Sequence, residues 1–151
     1  MAACAICNII DYLHGKEKDF FIMELETGYA VVSNRWQYFK GYTLFVCKKC
    51  VSELHELPVD YRQKYLLEMS YVAQAVFNAF KPNKLNYELL GNRCGHLHWH
   101  IIPRYGTDPK PNKPIWEIDR NIFDNKILDS GIEAKEIRDR ILLELQKILN
   151  S

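Results

Sequence analysis

The stretch His96-Leu97-His98-Trp99-His100-Ile101-Ile102-Pro103-Arg104 carries three histidines that alternate with apolar residues. Successive side chains of a β-strand point to opposite faces of the sheet, so residues i, i+2 and i+4 share one face. We therefore predict a strand over residues 96–102, with three imidazoles on one face and Leu97, Trp99 and Ile101 turned into a core. Imidazole changes its charge near neutral pH, which suits it to proton transfer, nucleophilic attack and metal ligation.

Three histidines at this spacing indicate two kinds of functional site. One is a metalloenzyme site, since histidines at i and i+2 can ligate one ion, although catalytic zinc usually takes a further ligand from another element. The other is a nucleophilic histidine supported by the other two. The residues alone leave both alternatives open.

The composition bounds the class of protein. The chain has 151 residues, 48% of them hydrophobic and 13% aromatic, and we predict a single domain over residues 1–151 with a core of its own. Its 20 basic and 19 acidic residues argue against a nucleic-acid binder or a polybasic membrane anchor, both of which need clustered positive charge. No apolar run approaches the roughly 20 residues of a membrane span. Because Met1-Ala2-Ala3-Cys4 does not resemble a secretory signal, we expect a cytoplasmic protein.

The remaining hydrophobic pattern predicts an α+β fold. Strands are predicted at residues 20–25, 29–33, 42–47, 85–90 and 96–102, the first two joined in a hairpin around Thr27-Gly28. Apolar residues at helical spacing predict one long helix from Pro58 to Phe80 and a C-terminal helix over Ile132–Leu149, within an extension of residues 130–151. The proline-rich residues 105–114 are predicted to form a surface loop. We expect a mostly antiparallel five-stranded sheet with the long helix between strands.

The histidine strand resembles the signature of the histidine triad (HIT) superfamily, His-φ-His-φ-His-φ-φ with φ apolar, which residues 96–102 match at every position. Pro103-Arg104-Tyr105 continues as in many bacterial members, and the diadenosine-polyphosphate-hydrolase-like branch is the most similar. Upstream, the order of the family's nucleoside-binding hairpin is matched by Asn34-Arg35, Gly41, Thr43-Leu44 and Lys48-Lys49. The resemblance covers roughly residues 4–106 and implies a HIT-like fold.

The same resemblance implies a nucleotide hydrolase whose catalysis requires no metal cofactor. Its substrate would be a dinucleoside polyphosphate such as diadenosine tetraphosphate, or a nucleoside monophosphate ester or amide. His98 would attack the α-phosphorus and form a covalent nucleotidyl-histidine, which water then cleaves. His100 would bind non-bridging phosphate oxygens or donate to the phosphoryl group. His96 would hydrogen-bond phosphate or leaving-group oxygens, unless it is a metal ligand.

Nucleotide-binding residues and a homodimer are also implied by the resemblance. Asn34 takes the place of a ribose-binding Asp or Asn, and Asn92 that of a phosphate-contacting Asn. Phe20, Ile22 and Leu44 are candidates for a base pocket. For all five residues a purely structural role stays open: Asn34 and Asn92 could be turn residues, and Phe20, Ile22 and Leu44 could be core residues. Members of the family usually pair through the long helix and an edge strand.

Two departures from the family pattern favour an alternative function. Tyr42 follows Gly41 where the family has a fourth histidine that supports the triad, so that role is either lost or taken by the tyrosine hydroxyl. The segment before the triad is shortened to Arg93-Cys94-Gly95. Both changes favour a nucleotide-binding or sensing protein with little turnover, whereas the intact triad opposes it.

Two CxxC pairs, Cys4-Ala5-Ile6-Cys7 and Cys47-Lys48-Lys49-Cys50, indicate a metal site. Thiolates at that spacing can close on one tetrahedral zinc ion, and disulfides are rare in a reducing compartment. In many bacterial members of the family a similar N-terminal pair, here within segment 1–15, joins two histidines to bind structural zinc. The expected ligands are Cys4, Cys7 and Cys50, with Cys47 or His96 as the fourth. Incidental free cysteines and a redox CxxC are the alternatives.

Overall fold

A five-stranded antiparallel sheet with strand order β1-β2-β3-β5-β4 forms the centre of the fold. The strands are β1 (Phe21–Glu24), β2 (Gly28–Val32), β3 (Thr43–Cys47), β4 (Lys84–Glu88) and β5 (His98–Arg104). This computed structural model describes residues 4, 6–8, 10, 19–124, 127–129 and 131–151, so most of the predicted segment 1–15 lies outside the described residues.

Two long helices cover one face of the sheet. Helix α1 (Val59–Phe80) begins after Pro58, whose ring suits a helix start, and ends where Lys81 adopts a left-handed conformation with φ 49°. Helix α2 (Ile132–Leu149) packs against α1 and against the first two strands. Apolar residues of both helices and of the sheet form the main buried core, and Phe45 of β3 stacks on Tyr65 of α1 there.

A carboxylate of α1 fixes the turn between β1 and β2. Glu68 is buried, and its two carboxylate oxygens accept hydrogen bonds from the backbone N–H of Glu26 at 3.1 Å and of Thr27 at 2.9 Å, as well as from the Thr27 hydroxyl. Tyr61 of the same helix donates its hydroxyl to the Thr27 carbonyl at 3.0 Å. The hairpin is therefore tied to the helix by its turn as well as by its apolar side chains.

A smaller core lies on the other face of the sheet. Leu44 and Ile102 belong to it, whereas their strand neighbours Phe45 and Ile101 belong to the main core. Phe39 and Tyr42 also belong to this smaller core. Two 3₁₀ turns complete it, Ile115–Glu117 and Arg120–Ile122, the second with the adjoining Phe123. The sequence pattern does not predict these turns. These turns lie on the sheet face that carries His100.

The segment after β5 is anchored by a buried ion pair. Arg104 Nε donates to Asp108 Oδ2 at 2.8 Å, and both side chains are almost fully buried. Arg104 also donates to the Asn86 side chain at 3.1 Å and to the Lys113 carbonyl at 2.7 Å. Residues 105–114 are thus a loop, as predicted, but one that is fastened to the sheet.

The predicted α+β fold is confirmed, with its five strands, its long helix and its C-terminal helix. The predicted start of the histidine strand was wrong, since β5 begins at His98 and not at residue 96. Leu97 N–H donates to the Val51 carbonyl at 2.8 Å, beyond the end of β3, so the chain bends out of the ladder before His98. Within the described residues, neither long helix combines the length and apolar composition needed to cross a bilayer.

Candidate active site and metal centre

His98 and His100 lie two residues apart on β5 and share one face of the sheet, as the alternation predicts. Their ring centroids are 4.7 Å apart. Val46 of β3 pairs with His98, while Leu44 of β3 and Glu88 of β4 flank His100 from the two neighbouring strands. Both imidazoles are half-buried, so they are held by packing yet open to a ligand.

A backbone carbonyl fixes the tautomer of His98. Its Nδ1 lies 2.6 Å from the carbonyl oxygen of His96. A carbonyl oxygen can only accept a hydrogen bond, so Nδ1 carries the hydrogen. In the neutral ring Nε2 is then left with a free lone pair, which is what a nucleophile, a general base or a metal ligand needs.

His100 is held neutral by its surroundings. Burial and, to a smaller extent, the nearby His98 lower its pKa from 6.5 to about 4. Its Nδ1 is hydrogen-bonded to the Tyr42 hydroxyl, and the two rings stack with centroids 6.0 Å apart. Burial and the charge of Glu88 raise the pKa of Tyr42 far above its ordinary value, so this hydroxyl is protonated.

Glu88 is a further site residue that the sequence analysis did not identify. It pairs with His100 across β4 and β5. Burial raises its pKa, against a weaker opposing effect of Arg104. Its Oε2 is buried and has no hydrogen-bond partner among the described residues. The alternation along residues 84–88, which places Asn86 and Glu88 on one face, is the signal that could have found it.

Tyr42, which stacks on His100, is itself part of a larger aromatic stack. Trp36 lies parallel to Tyr42 at 5.9 Å between centroids, and the edge-on Phe123 meets Trp36 at 5.3 Å. Trp36 has a positive φ of 59°, unusual for a bulky residue, and its indole N–H donates to Asp124 at 2.7 Å. The 120–124 segment therefore holds the ring that stacks on Tyr42.

His96 is placed differently from the sequence prediction, which put it on the face of His98 and His100. It lies before β5 and is buried, with Nε2 2.7 Å from the Cys47 carbonyl oxygen. That contact puts the hydrogen on Nε2 and leaves Nδ1 free, 3.4 Å from Cys4 Sγ and 3.5 Å from Cys7 Sγ. Both ring nitrogens are thus engaged, which argues against the phosphate-binding role and favours the metal-ligand alternative.

Cys4, Cys7, Cys50 and His96 form a possible metal site, because their ligand atoms all lie within 4.8 Å of one another. A hydrogen bond from the Cys7 backbone is the main reason why the pKa of Cys4 falls to about 6, whereas burial and the neighbouring thiols raise the pKa of Cys7 to about 12. Three sulfurs and one imidazole match the ligand set of structural tetrahedral zinc.

Cys47 lies outside this group. Its side chain is fully buried in the main core, and burial raises the pKa of its thiol. Only its backbone carbonyl reaches the site, through His96. Of the two candidates for a fourth ligand, the geometry therefore brings in His96 and not Cys47.

The five candidate nucleotide-binding residues do not come together at one place. Leu44 lies opposite His100, and Asn34 is exposed after β2, where its carbonyl accepts from Leu128 N–H at 2.7 Å. Asn92 is exposed in the turn before His96. Phe20 and Ile22 are each 4% exposed and pack within the main core, and their assignment to a base pocket stays a prediction.

Comparisons with known proteins agree with the fold and with the histidine pattern. A family model described as the HIT domain matches residues 14–107. "Protein hit" of Bacillus subtilis is 33% identical over 72 residues, which are 44% of this chain and 50% of that protein. The chain spans about half the length of the curated relatives it matches.

Solved structures of low sequence identity share the whole architecture. A hypothetical histidine triad nucleotide-binding protein from Sulfolobus tokodaii is 22% identical with a TM-score of 0.71, and the match covers 96% of this chain and 93% of that one. A Zn-bound histidine triad family protein from Mycobacterium smegmatis is 17% identical with a TM-score of 0.68, covering 98% and 96%. Since the family model spans more than half of the chain, this protein belongs to the HIT-domain family.

Proposed function

We propose that this protein is a nucleotide hydrolase in which His98 attacks the α-phosphorus of its substrate. The observation that carries this proposal is the hydrogen bond from His98 Nδ1 to the His96 carbonyl, which in the neutral ring places the lone pair on Nε2, beside the second imidazole of His100. The proposed substrates are dinucleoside polyphosphates, such as diadenosine tetraphosphate, and esters or amides of nucleoside monophosphates.

The proposed reaction has two displacements at the same phosphorus. In the first, Nε2 of His98 forms a nitrogen–phosphorus bond while the bond to the leaving group breaks, and the leaving group takes up a proton or departs as an anion. In the second, the oxygen of water forms a bond to phosphorus while the nitrogen–phosphorus bond breaks, the water gives up a proton to solvent, and the nucleoside monophosphate and free His98 are released. Covalent catalysis divides one difficult displacement into two easier ones, and N–H donors offset the charge that develops on the phosphoryl oxygens.

His100 is proposed to contact the phosphoryl oxygens from the same strand face. Leu44, opposite His100, is proposed to contact the nucleoside, and Asn34 and Asn92 are proposed to bind ribose and phosphate. Both asparagines are exposed, so their side chains are accessible to a ligand.

Hydrolysis of a substrate panel tests the function. Wild-type protein should release the nucleoside monophosphate from diadenosine tetraphosphate or from an AMP ester or amide, followed by chromatography. His98→Ala should lose this activity while keeping its folded circular dichroism spectrum. His55→Ala is the matched control, since His55 is exposed in a 3₁₀ turn outside the site. Full hydrolysis by His98→Ala would exclude His98 as the nucleophile.

A second candidate function is nucleotide binding or sensing with little turnover. It is favoured by Tyr42 at the position of the family's fourth histidine and by the short segment Arg93-Cys94-Gly95. Calorimetry with the same nucleotides separates the two functions. Binding without product would support the sensor, whereas product formed by wild type and not by His98→Ala would support the hydrolase.

We propose that Cys4, Cys7, Cys50 and His96 bind structural zinc and that the reaction uses no metal. The ligand set supports the first part, as does the presence of zinc in one structure of the same fold. The second part is supported by the separation of roles, because the His96 ring that faces the thiols is a different imidazole from the proposed nucleophile His98.

We further propose a homodimer that pairs through α1 and the edge strand β4. Phe77 of α1 and Tyr87 of β4 are large apolar side chains that are 41% and 46% exposed. Light scattering coupled to size-exclusion chromatography should give twice the mass of one chain. The mass of a single chain at micromolar concentration would contradict the pairing.

A further inference from the structure

The hydrogen bond between Tyr42 and His100 sets the positions of hydrogens in the candidate active site. Tyr42 is buried, and its hydroxyl contacts Nδ1 of His100. Either partner can in principle donate, so two arrangements must be compared. In one, the hydroxyl donates to a bare Nδ1, and in the other, Nδ1–H donates to the hydroxyl oxygen.

The surroundings of Tyr42 favour the hydroxyl as donor. A buried donor without an acceptor is destabilising, so the phenolic hydrogen needs a partner. Among the described residues, His100 Nδ1 is the acceptor that the Tyr42 hydroxyl reaches. If Nδ1 carried the hydrogen, the phenolic hydrogen would have no acceptor within the part of the chain that the structure describes, in a buried environment. The carbonyl of Tyr42 does not compete, since it already accepts from Ser33 N–H and the Gln37 amide.

We infer that Tyr42 is a positioning residue, whose hydroxyl holds His100 as the neutral tautomer with its hydrogen on Nε2. His98 has the opposite arrangement, because the His96 carbonyl holds its hydrogen on Nδ1. Two imidazoles with centroids 4.7 Å apart therefore present different groups at Nε2, a lone pair on His98 and an N–H on His100. The inference rests on the proposed function only for its catalytic consequence.

Opposite tautomers suit attack on a phosphoryl group. Two bare Nε2 atoms would repel the phosphate oxygens, and two N–H groups would leave no nucleophile. With one of each, His98 can attack while His100 donates to a phosphoryl oxygen or to the leaving atom. The low pKa of His100 is consistent with this arrangement, since a neutral ring at pH 7 has a single hydrogen to place.

The stack behind Tyr42 explains why the hydroxyl acts with a fixed geometry. The rings of Trp36, Tyr42 and His100 lie nearly parallel, at 15° and 20° between successive planes. Trp36 is itself held by Asp124. A phenylalanine at position 42 would keep the stack and lose only the hydroxyl, so Tyr42→Phe isolates the hydrogen bond from the packing.

Imidazole nitrogen NMR tests the inference directly. In long-range ¹H–¹⁵N spectra at pH 7, wild-type His100 should show a protonated Nε2 and a bare Nδ1, with the reverse pattern for His98. Tyr42→Phe should convert His100 into a mixture of tautomers and leave His98 unchanged. A merely structural role for Tyr42 would not move the tautomer of one ring alone.

The matched control is Tyr65→Phe. Tyr65 is also a buried tyrosine that donates a hydrogen bond, to the Phe45 carbonyl at 3.1 Å, but it lies in the main core on the other face of the sheet. The same loss of a buried hydroxyl should lower the stability of this variant and leave the spectrum of His100 as in wild type. An unchanged His100 tautomer in Tyr42→Phe would overturn the inference.

Kinetics give a second readout where the protein turns over. Tyr42→Phe should lower kcat roughly tenfold with a smaller effect on KM, because the N–H of His100 is then only partly populated. Tyr42→His should restore kcat, since an imidazole N–H can donate to Nδ1 in place of the hydroxyl. Equal kcat in wild type and Tyr42→Phe would contradict the catalytic consequence. Absence of turnover in every variant would count against the proposed function, and the NMR result would still decide the tautomer.

Discussion

At the scale of single residues, His96 serves two different sites with two different groups. Its carbonyl oxygen accepts the hydrogen bond that leaves Nε2 of His98 free, while its ring faces Cys4 and Cys7. The chain can use one residue in both ways because β5 begins only at His98, so that the side chain of His96 leaves the alternation of the strand. The proposed metal centre and the candidate nucleophile are therefore neighbours along the chain with separate chemistries.

The low pKa of His100 predicts a pH dependence of stability. Between its folded value of about 4 and its ordinary value of 6.5, the unfolded chain binds more protons at this residue than the folded chain. The free energy of unfolding should therefore rise with pH across this range, with the contribution fully present above about pH 6.5. Urea unfolding at pH 7 and pH 5 measures it.

His100→Gln provides the comparison for this prediction. The variant lacks the titrating ring and keeps every other ionisable group, so its stability should fall less between pH 7 and pH 5 than that of wild type. Equal losses in the two proteins would show that His100 remains able to take up a proton in the folded state.

At the scale of elements, the contact between α1 and the β1–β2 turn makes a further prediction. Glu68→Ala removes the acceptor of two backbone N–H groups and one hydroxyl in a buried environment. Hydrogen bonds to a buried carboxylate are among the stronger ones, so unfolding should become easier by about 3 kcal/mol. Thermal or urea unfolding measures the change.

An exposed carboxylate on the other helix controls for the loss of charge. Glu136→Ala on α2 should change the free energy of unfolding by less than about 0.5 kcal/mol, since surface substitutions away from buried contacts have small effects. If Glu68→Ala were as mild as Glu136→Ala, the turn would be held by its apolar neighbours and not by the carboxylate.

The strands and helices were predictable from local pattern, but several site residues were not. Alternation placed His98 and His100 on one face because that rule is local. It failed for His96, whose position depends on the pairing of Leu97 with Val51 across the fold. Strand pattern also marks Phe20 and Ile22 as apolar without telling whether they line a pocket or fill the core. Local alternation marks the strand face of Glu88, but its place beside His100 comes from the pairing of β4 with β5, and Trp36 gains its role from long-range packing.

At the scale of the whole molecule, the proposed metal site brings Cys4 and Cys7 of the N-terminal segment together with Cys50, after β3, and His96, before β5. A metal that binds only the folded chain stabilises it, so zinc removal by a chelator should lower the midpoint of thermal unfolding. Cys50→Ser should lower the zinc content below one ion per chain, because Cys50 belongs to the cluster. Elemental analysis measures the zinc.

Two other cysteines control for this prediction. Cys47→Ala and Cys94→Ser each remove a thiol outside the cluster and should keep one zinc per chain. Loss of zinc from Cys47→Ala would contradict the choice of His96 over Cys47 as the fourth ligand, and retention of zinc by Cys50→Ser would contradict Cys50 as a ligand.

The most direct test of the central claim is to trap the covalent intermediate. Wild-type protein mixed with diadenosine tetraphosphate or an AMP amide is quenched within a turnover, digested at alkaline pH, and analysed by mass spectrometry for a nucleotidyl group. We predict this group on His98 in wild type, together with release of AMP, and neither in His98→Ala. A nucleotidyl group on another residue, or full AMP release by His98→Ala, would contradict the role of His98 as the nucleophile.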